Sequence, residues 1–484
     1  MAGFERLSPI DRTFLDLETE NYHQHIGATL LLDAAPLTTR GGHLDADRIR
    51  EYLASRLHRI PRYRQRLATV PMSGEPVWVD DHRFNLRYHV RHTALPPPGS
   101  ERQLKRLAGR IMSQKLDRGK PLWEMWIVEG VEGDRFAIVT KTHHCMIDGI
   151  AGIDLMTVLL TPEPVTEIEP APAWEPDPPP AGIELAAAEL LRLATTPAAA
   201  ARSALGALLR PRETLSTLRE GAIALAETLS AAATSASRTP LNRPLGPHRR
   251  FDWTRTPLER ARAVKRELGG TVNDVVLATV AGALGRFLRG RGLSVRALEE
   301  MELRAMVPVS IRPPEQRGRP GNHIALWAVP LPVALRDPRR RLAEIRRVTE
   351  ALKHSRQALG AEILAAMSEW TVLNLVSLAA RAAYRRRTAN LVVTNVPGPQ
   401  VPLYLLESRV RAAYPMLNLL ENHALGVALI SYAGQIHWGL MADWDLAPDL
   451  HDFTLAIDAA FDELCEAAGV KADVPAPADP GEAG

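Results

Sequence analysis

Two cysteines in 484 residues, Cys145 and Cys465, cannot build a disulfide framework. Such scarcity suits a reducing compartment such as the cytoplasm. No uninterrupted apolar run reaches about 18 residues, so a conventional transmembrane helix is not expected. The stretch from Met1 to Arg12 carries acids and lacks an apolar central segment, so no secretory signal is expected there. Charge of one sign is also in short supply: a formal net charge of +3 makes no case for a nucleic-acid partner. Metal-binding spacings are missing too. His23 and His25 stand two apart, which puts both imidazoles on one strand face, but neither CxxC nor HExxH accompanies them and no metal is expected. What remains is an ordinary globular composition, 46% hydrophobic and 24% charged, in a chain long enough for two domains of similar size.

The stretch from His143 to Gly149, with the pattern HHxxxDG, is the most informative. It follows an alternating, strand-like run from Arg135 to Thr142 and opens an apolar, helix-like run from Gly149 to Leu160. A histidine where a strand ends and a helix begins can face a cleft. Its near-neutral pKa suits it to take a proton from a hydroxyl or amine and pass it to a leaving group.

Either side of this stretch the chain reads as mixed α/β. Strands are expected at Ala28 to Asp33, Pro76 to Asp80, Leu86 to Arg91 and Leu122 to Glu129, with helices at Asp45 to Leu57 and Glu101 to Lys115. Residues 1–160 form the first domain on this reading, and 161–250 a crossover. Thr161 to Pro180 holds eight prolines and five acids, which reads as an extended linker. Ile183 to Ser235 is rich in Ala and Leu and reads as two or three helices. Residues 251–470 form the second domain and 471–484 a disordered tail. Within 251–470, helices are expected at Thr256 to Leu268 with Pro257 in the first turn, Asn273 to Arg289, Pro338 to His354, Gly360 to Ala383 and Leu450 to Glu466. Strands are expected at Leu303 to Ser310, Ile324 to Leu331, Leu391 to Thr394, Ala424 to Ser431 and Gln435 to Met441. Two α/β halves would leave a cleft or tunnel between them, where ligands commonly sit.

Several segments together resemble the bacterial wax ester synthase/diacylglycerol acyltransferase family. They are Leu7 to Asp11 followed by His25 to Gly27, Pro121-Leu122-Trp123, His143 to Gly149, Pro240 to Arg250, Thr271 to Ala278, Val307 to Arg312, Gly321-Asn322 and Asn395 to Pro399. They run in family order over nearly the whole chain. The resemblance implies an α/β fold of two chloramphenicol-acetyltransferase-like domains with a central cleft or tunnel. It also implies transfer of a fatty acyl group from acyl-coenzyme A, as co-substrate and without other cofactor, to diacylglycerol or a long-chain alcohol.

By the same resemblance His144 is the general base, and Asp148 pairs with a cation, for which Arg312 is the candidate. His143 is structural or auxiliary. Gly149 permits close backbone approach where the helix begins. Asn273 and Asp274 either line the tunnel, with the Asn amide as oxyanion donor, or cap a helix. A rival Cys145–His covalent mechanism is disfavoured, because a residue next to His144 in a strand faces the opposite side. The stretch 360–387, apolar and ending in Arg385, Arg386 and Arg387, reads either as a docking element for an anionic bilayer or lipid droplet or as a core-facing helix. Arg339, Arg340, Arg341, Arg346 and Arg347 add basic surface that could meet such a lipid surface or coenzyme A phosphates. The expected enzyme is therefore cytoplasmic and peripheral to the inner membrane or lipid droplets, monomeric or weakly associated. A condensation-type acyltransferase acting on an amine or polyketide hydroxyl, and a non-catalytic lipid-binding protein, are the alternatives.

Overall fold

The computed structural model describes residues 3–146, 158–192, 195, 236–310, 324–354 and 388–471. Asp148, Gly149 and the expected helix as far as residue 157, Arg312, the 360–387 stretch and the tail from 472 lie outside the described residues; of the helices expected from Ile183 to Ser235, residues 183–192 are helical and 196–235 lie outside.

Two six-stranded sheets carry the molecule. The first is centred on His25–Asp33, which pairs antiparallel with Arg135–His143; beyond that lie Trp123–Val131 and then, in parallel, Val90–Ala94. Its apolar runs are continuous because both faces are buried: Leu31 enters one core cluster, while Leu30 and Leu32 enter the other. The second sheet runs Ile324–Leu331, Leu303–Ser310, Leu391–Pro397, Leu425–Tyr432, Gln435–Asp443, Arg249–Pro257. A small sheet of Phe4–Arg6, Pro76–Asp80 and Gln65–Thr69 stands beside the first.

The halves are interlocked. Ser408–Met416, grouped by the sequence reading with the second half, pairs with His25–Asp33 in the first sheet, and Tyr404–Leu405 extends that edge. Arg409 and Arg411 alternate with buried Ser408, Val410 and Ala412, but the run Ala412-Ala413-Tyr414 is buried throughout and Pro415 follows, so the strand signal is short. Gly439 of the second sheet faces it so closely that a Cβ there would lie 1.8 Å from the Pro415 carbonyl oxygen, so only glycine lets the two sheets meet. The proline-rich crossover is extended, as expected, and is tied down by a two-way backbone bridge between Thr161 and Tyr404.

Two elements differ from expectation. Leu86–His89 is a helical turn, started by the Asn85 side chain accepting from the Arg87 N–H, and the strand begins only at Val90. Arg249–Pro257 is a strand along its full length, and the helix begins at Leu258 with Pro257 as N-cap. Proline is tolerated there because this is an edge strand.

The helix Val272–Gly290 is buried nearly all round and forms the spine of the second half. It is crossed by Arg341, whose buried guanidinium donates to the Ala278 carbonyl and occupies the space a Cβ on Gly282 would fill, 2.6 Å away. Among the described residues no single helix is long and apolar enough to cross a membrane.

Candidate active site

His143 is the last residue of its strand and lies opposite His25 in the ladder. Its N–H donates to the Leu122 carbonyl, 2.9 Å away. The chain then tightens into a 3-10 turn, His144–Met146, whose first N–H donates to the Gln24 carbonyl at 2.7 Å. The Cys145 N–H donates to Nδ1 of His143, 3.1 Å away. With Nδ1 accepting, Nε2 is the ring nitrogen left to donate. That nitrogen lies 3.2 Å from Oε1 of Glu18.

Glu18 was not singled out in the sequence, where it is one acid among many. It follows the helix Pro9–Leu17, which starts with the Ser8 hydroxyl accepting from the Asp11 N–H. That helix packs on the 3-10 turn, bringing the carboxylate beneath His143. Arg118 donates to Oε2 at 2.8 Å and the Gln24 N–H to Oε1 at 2.9 Å. Burial alone would raise the Glu18 pKa. The contacts with His143, Arg118 and Gln24 outweigh it and hold the carboxyl far below the usual range.

His144 is half-buried and its ring lies against Phe14, centroids 4.0 Å apart. Its Nδ1 is shielded and finds no hydrogen-bond partner among the described residues. Burial, helped by the proximity of His143, pushes its pKa down to about 4, so the imidazole is neutral at physiological pH. His23 and His25 flank the site, with ring centroids 5.3 Å apart. Burial depresses both, His23 to about 4 and His25 well below its ordinary value. Among the described residues no group of three or more His, Cys, Asp or Glu is arranged to hold a metal.

The surrounding supports come from both halves. Lys141, fully buried one alternation before His143, donates to the Ile111 and Gln114 carbonyls at 3.0 Å and lies 3.3 Å from Glu124. It thereby pins the end of the helix Glu101–Ser113. From the second half, Asn418 donates to the Gln24 side chain at 2.7 Å, and Arg249 donates to the Asn21 carbonyl. Trp123 of the Pro121-Leu122-Trp123 segment stacks between Tyr63 and His89, forming a wall below the strand end.

Cys145 is not on the strand, as the sequence reading had it, but in the 3-10 turn. It is 1% exposed in the apolar core that includes Leu15 and Met146. Burial pushes its thiol well above the ordinary value, so it is a poor nucleophile. Asp274 makes a capping box with Thr271: its carboxylate accepts from the Thr271 N–H and hydroxyl, both at 2.7 Å, and from the Thr349 hydroxyl at 2.8 Å. Its hydrogen-bonding capacity is spent on structure. Asn273 is half-buried in the same first turn, and no described contact joins either residue to the His143–Glu18 group.

Residues 7–276 match the family described as wax ester synthase/diacylglycerol acyltransferase catalytic domain, and residues 320–465 match its C-terminal domain. A Mycobacterium tuberculosis protein named as a diacylglycerol O-acyltransferase is 34% identical, the alignment covering 96% of this chain and 91% of the relative. A second from that organism is 31% identical over 95% of each chain. The solved wax ester synthase/diacylglycerol acyltransferase from Marinobacter aquaeolei VT8 superposes with a TM-score of 0.67 at 27% identity, covering 96% of this chain and 100% of that one. The first condensation domain of the CDA synthetase shares the fold, with a TM-score of 0.54 at 15% identity over 98% of this chain and 97% of that one.

Proposed function

Because the chain belongs to the wax ester synthase/diacylglycerol acyltransferase family, and is an acyl-coenzyme A-dependent O-acyltransferase, we propose that His144 is its general base and that Glu18, acting through His143, is its positioning carboxylate. The observation that carries this reading is the chain Glu18–His143 ending beside a neutral, half-buried His144. The acceptor hydroxyl oxygen attacks the thioester carbonyl carbon while its proton passes to His144. Nδ1 is shielded, so Nε2 takes that proton. Collapse of the tetrahedral intermediate breaks the carbon–sulfur bond, and the imidazolium returns the proton to the departing coenzyme A sulfur. No metal or prosthetic group takes part in this reading. An imidazole with a pKa near 4 is a weak base, but its conjugate acid is a strong proton donor for the leaving thiolate.

The acceptor is diacylglycerol, giving triacylglycerol, or a long-chain alcohol, giving a wax ester. Both are water-insoluble, which supports work at the surface of the inner membrane or a lipid droplet from the cytoplasmic side. Of the basic residues expected to add surface on this helix, Arg341 is buried and Arg346 is tied to the Leu268 carbonyl, which leaves the exposed Arg339, Arg340 and Arg347 to suit such a surface. The family resemblance supports an Asp148 that pairs with a cation, for which Arg312 is the candidate.

The test is release of free thiol from palmitoyl-coenzyme A with diolein and hexadecanol supplied side by side. Acceptor-dependent release, lost in His144→Ala, supports the reading. Acceptor-dependent release that persists undiminished in a folded His144→Ala protein removes His144 from the mechanism.

A further inference from the structure

At the far end of the seam between the two sheets lies a cavity of about 230 Å³, lined by side chains from five separate elements. Three are guanidiniums: Arg135 where its strand begins, Arg255 on the edge strand of the second sheet, and Arg411 on the strand that joins the halves. Arg411 is placed by a register shift between Val410 and Ala412, a bulge that re-aims its side chain relative to the regular ladder. Edges of Trp253 and Tyr414, stacked at 4.7 Å, make the apolar wall.

The three guanidiniums are not equally partnered among the described residues. Arg411 is held by Asp33, with Nε 2.8 and 3.0 Å from its carboxylate oxygens, and Arg135 stands 3.9 Å from Glu101. Arg255 has no hydrogen-bond or ion-pair partner among the described residues, although the ladder sets it at the cavity's rim. Among the described residues Arg135 and Arg411 each stand by a carboxylate while Arg255 meets none, around a space that would hold about eight waters. Convergent guanidiniums match the oxygens of phosphate in geometry as well as charge.

We propose that Arg135, Arg255 and Arg411 form a seat for a phosphate monoester. The seat is separate from the histidine site: Arg135 and His143 are the two ends of one nine-residue strand, roughly 26 Å apart at about 3.3 Å per residue. A phosphate held there does not touch the reacting atoms. It is either the remote phosphate of a long co-substrate or a phosphorylated small molecule in its own right. Only the first source rests on the acyltransfer reading above.

Isothermal titration with inorganic phosphate at low ionic strength tests the seat without any turnover, so its failure is distinguishable from failure of the acyltransfer assignment. Saturable binding in the millimolar range is expected, weakened at least about tenfold in Arg255→Gln. Arg255 is exposed and unpartnered among the described residues, so the variant should match the wild type in circular dichroism and thermal midpoint. Absent phosphate binding, or equal binding by the two proteins, overturns the proposal. Coenzyme A against dephospho-coenzyme A, which lacks the 3′-phosphate, then separates the sources. A preference for coenzyme A that Arg255→Gln abolishes assigns the seat to the acyl donor. Equal binding of the two, with the inorganic phosphate difference intact, assigns it to a separate phosphorylated molecule.

Discussion

Lowering the pH should leave the reaction running long after an ordinary histidine base would have failed. His144 is pushed down to about 4 by burial, about 2.5 units below its ordinary value, a penalty of about 3.4 kcal/mol against charging it. The active form is the neutral imidazole, so rate follows its fraction. At pH 5.5 that fraction is about 97% for a pKa near 4 and about 9% for a pKa near 6.5, a tenfold difference in kcat/KM. Stability moves the other way. A histidine whose folded pKa is depressed contributes fully above its unfolded value near 6.5, and that contribution is lost as pH falls through the folded value near 4. At pH 5.5 each such group has forfeited about 1.4 kcal/mol, and His23, His144 and His437, all near 4, about 4 kcal/mol together. The assay is therefore ester product quantified by mass spectrometry after short incubations from pH 4.5 to 8, with circular dichroism at each pH to confirm the fold. A kcat/KM profile that is half-maximal near 6.5 in folded protein refutes the depressed base.

Four further outcomes follow from the site and its surroundings. His144→Ala should lower kcat by at least about 10²-fold with circular dichroism unchanged. Glu18→Gln keeps the shape but removes the charge facing His143 and Arg118; a fall of about tenfold in kcat with little change in KM is expected, the scale of one charge-assisted hydrogen bond, and unchanged kcat would remove Glu18 from the chain. Cys145→Ala should stay active and no acyl adduct should accumulate with palmitoyl-coenzyme A alone; an adduct at Cys145 seen by mass spectrometry, lost together with activity, would favour the covalent route. Asp274→Ala should cost about 1–2 kcal/mol in denaturant unfolding through loss of the capping box, with kcat within about twofold in the folded protein; a large kcat loss at unchanged stability would move Asp274 into the site.

The sequence by itself determined the elements whose signal is local. The short apolar run Phe136 to Val139 within Arg135–His143, the apolar length of Val272–Gly290 and the proline density of 161–180 each encode a backbone preference that neighbouring residues supply. The strand end at His143 was legible for the same reason, whereas the 3-10 turn from His144 was not and the helix expected from Gly149 lies outside the described residues up to 157, and the family segments named the chemistry. Tertiary structure alone decided what depends on residues far apart in the chain. Ser408–Met416 loses its alternation after Ala412, where the backbone of the other sheet closes against it at Gly439 and successive residues are buried. Glu18 carries no local mark of its role. It becomes a site residue only when the Pro9–Leu17 helix folds across the 3-10 turn and Arg118, 100 residues away, fixes its second oxygen. The burial that keeps His144 neutral is likewise invisible in composition, since it is set by Phe14 and the packing of the whole first half. Desolvation is a property of the space around a group, and only the folded chain defines that space.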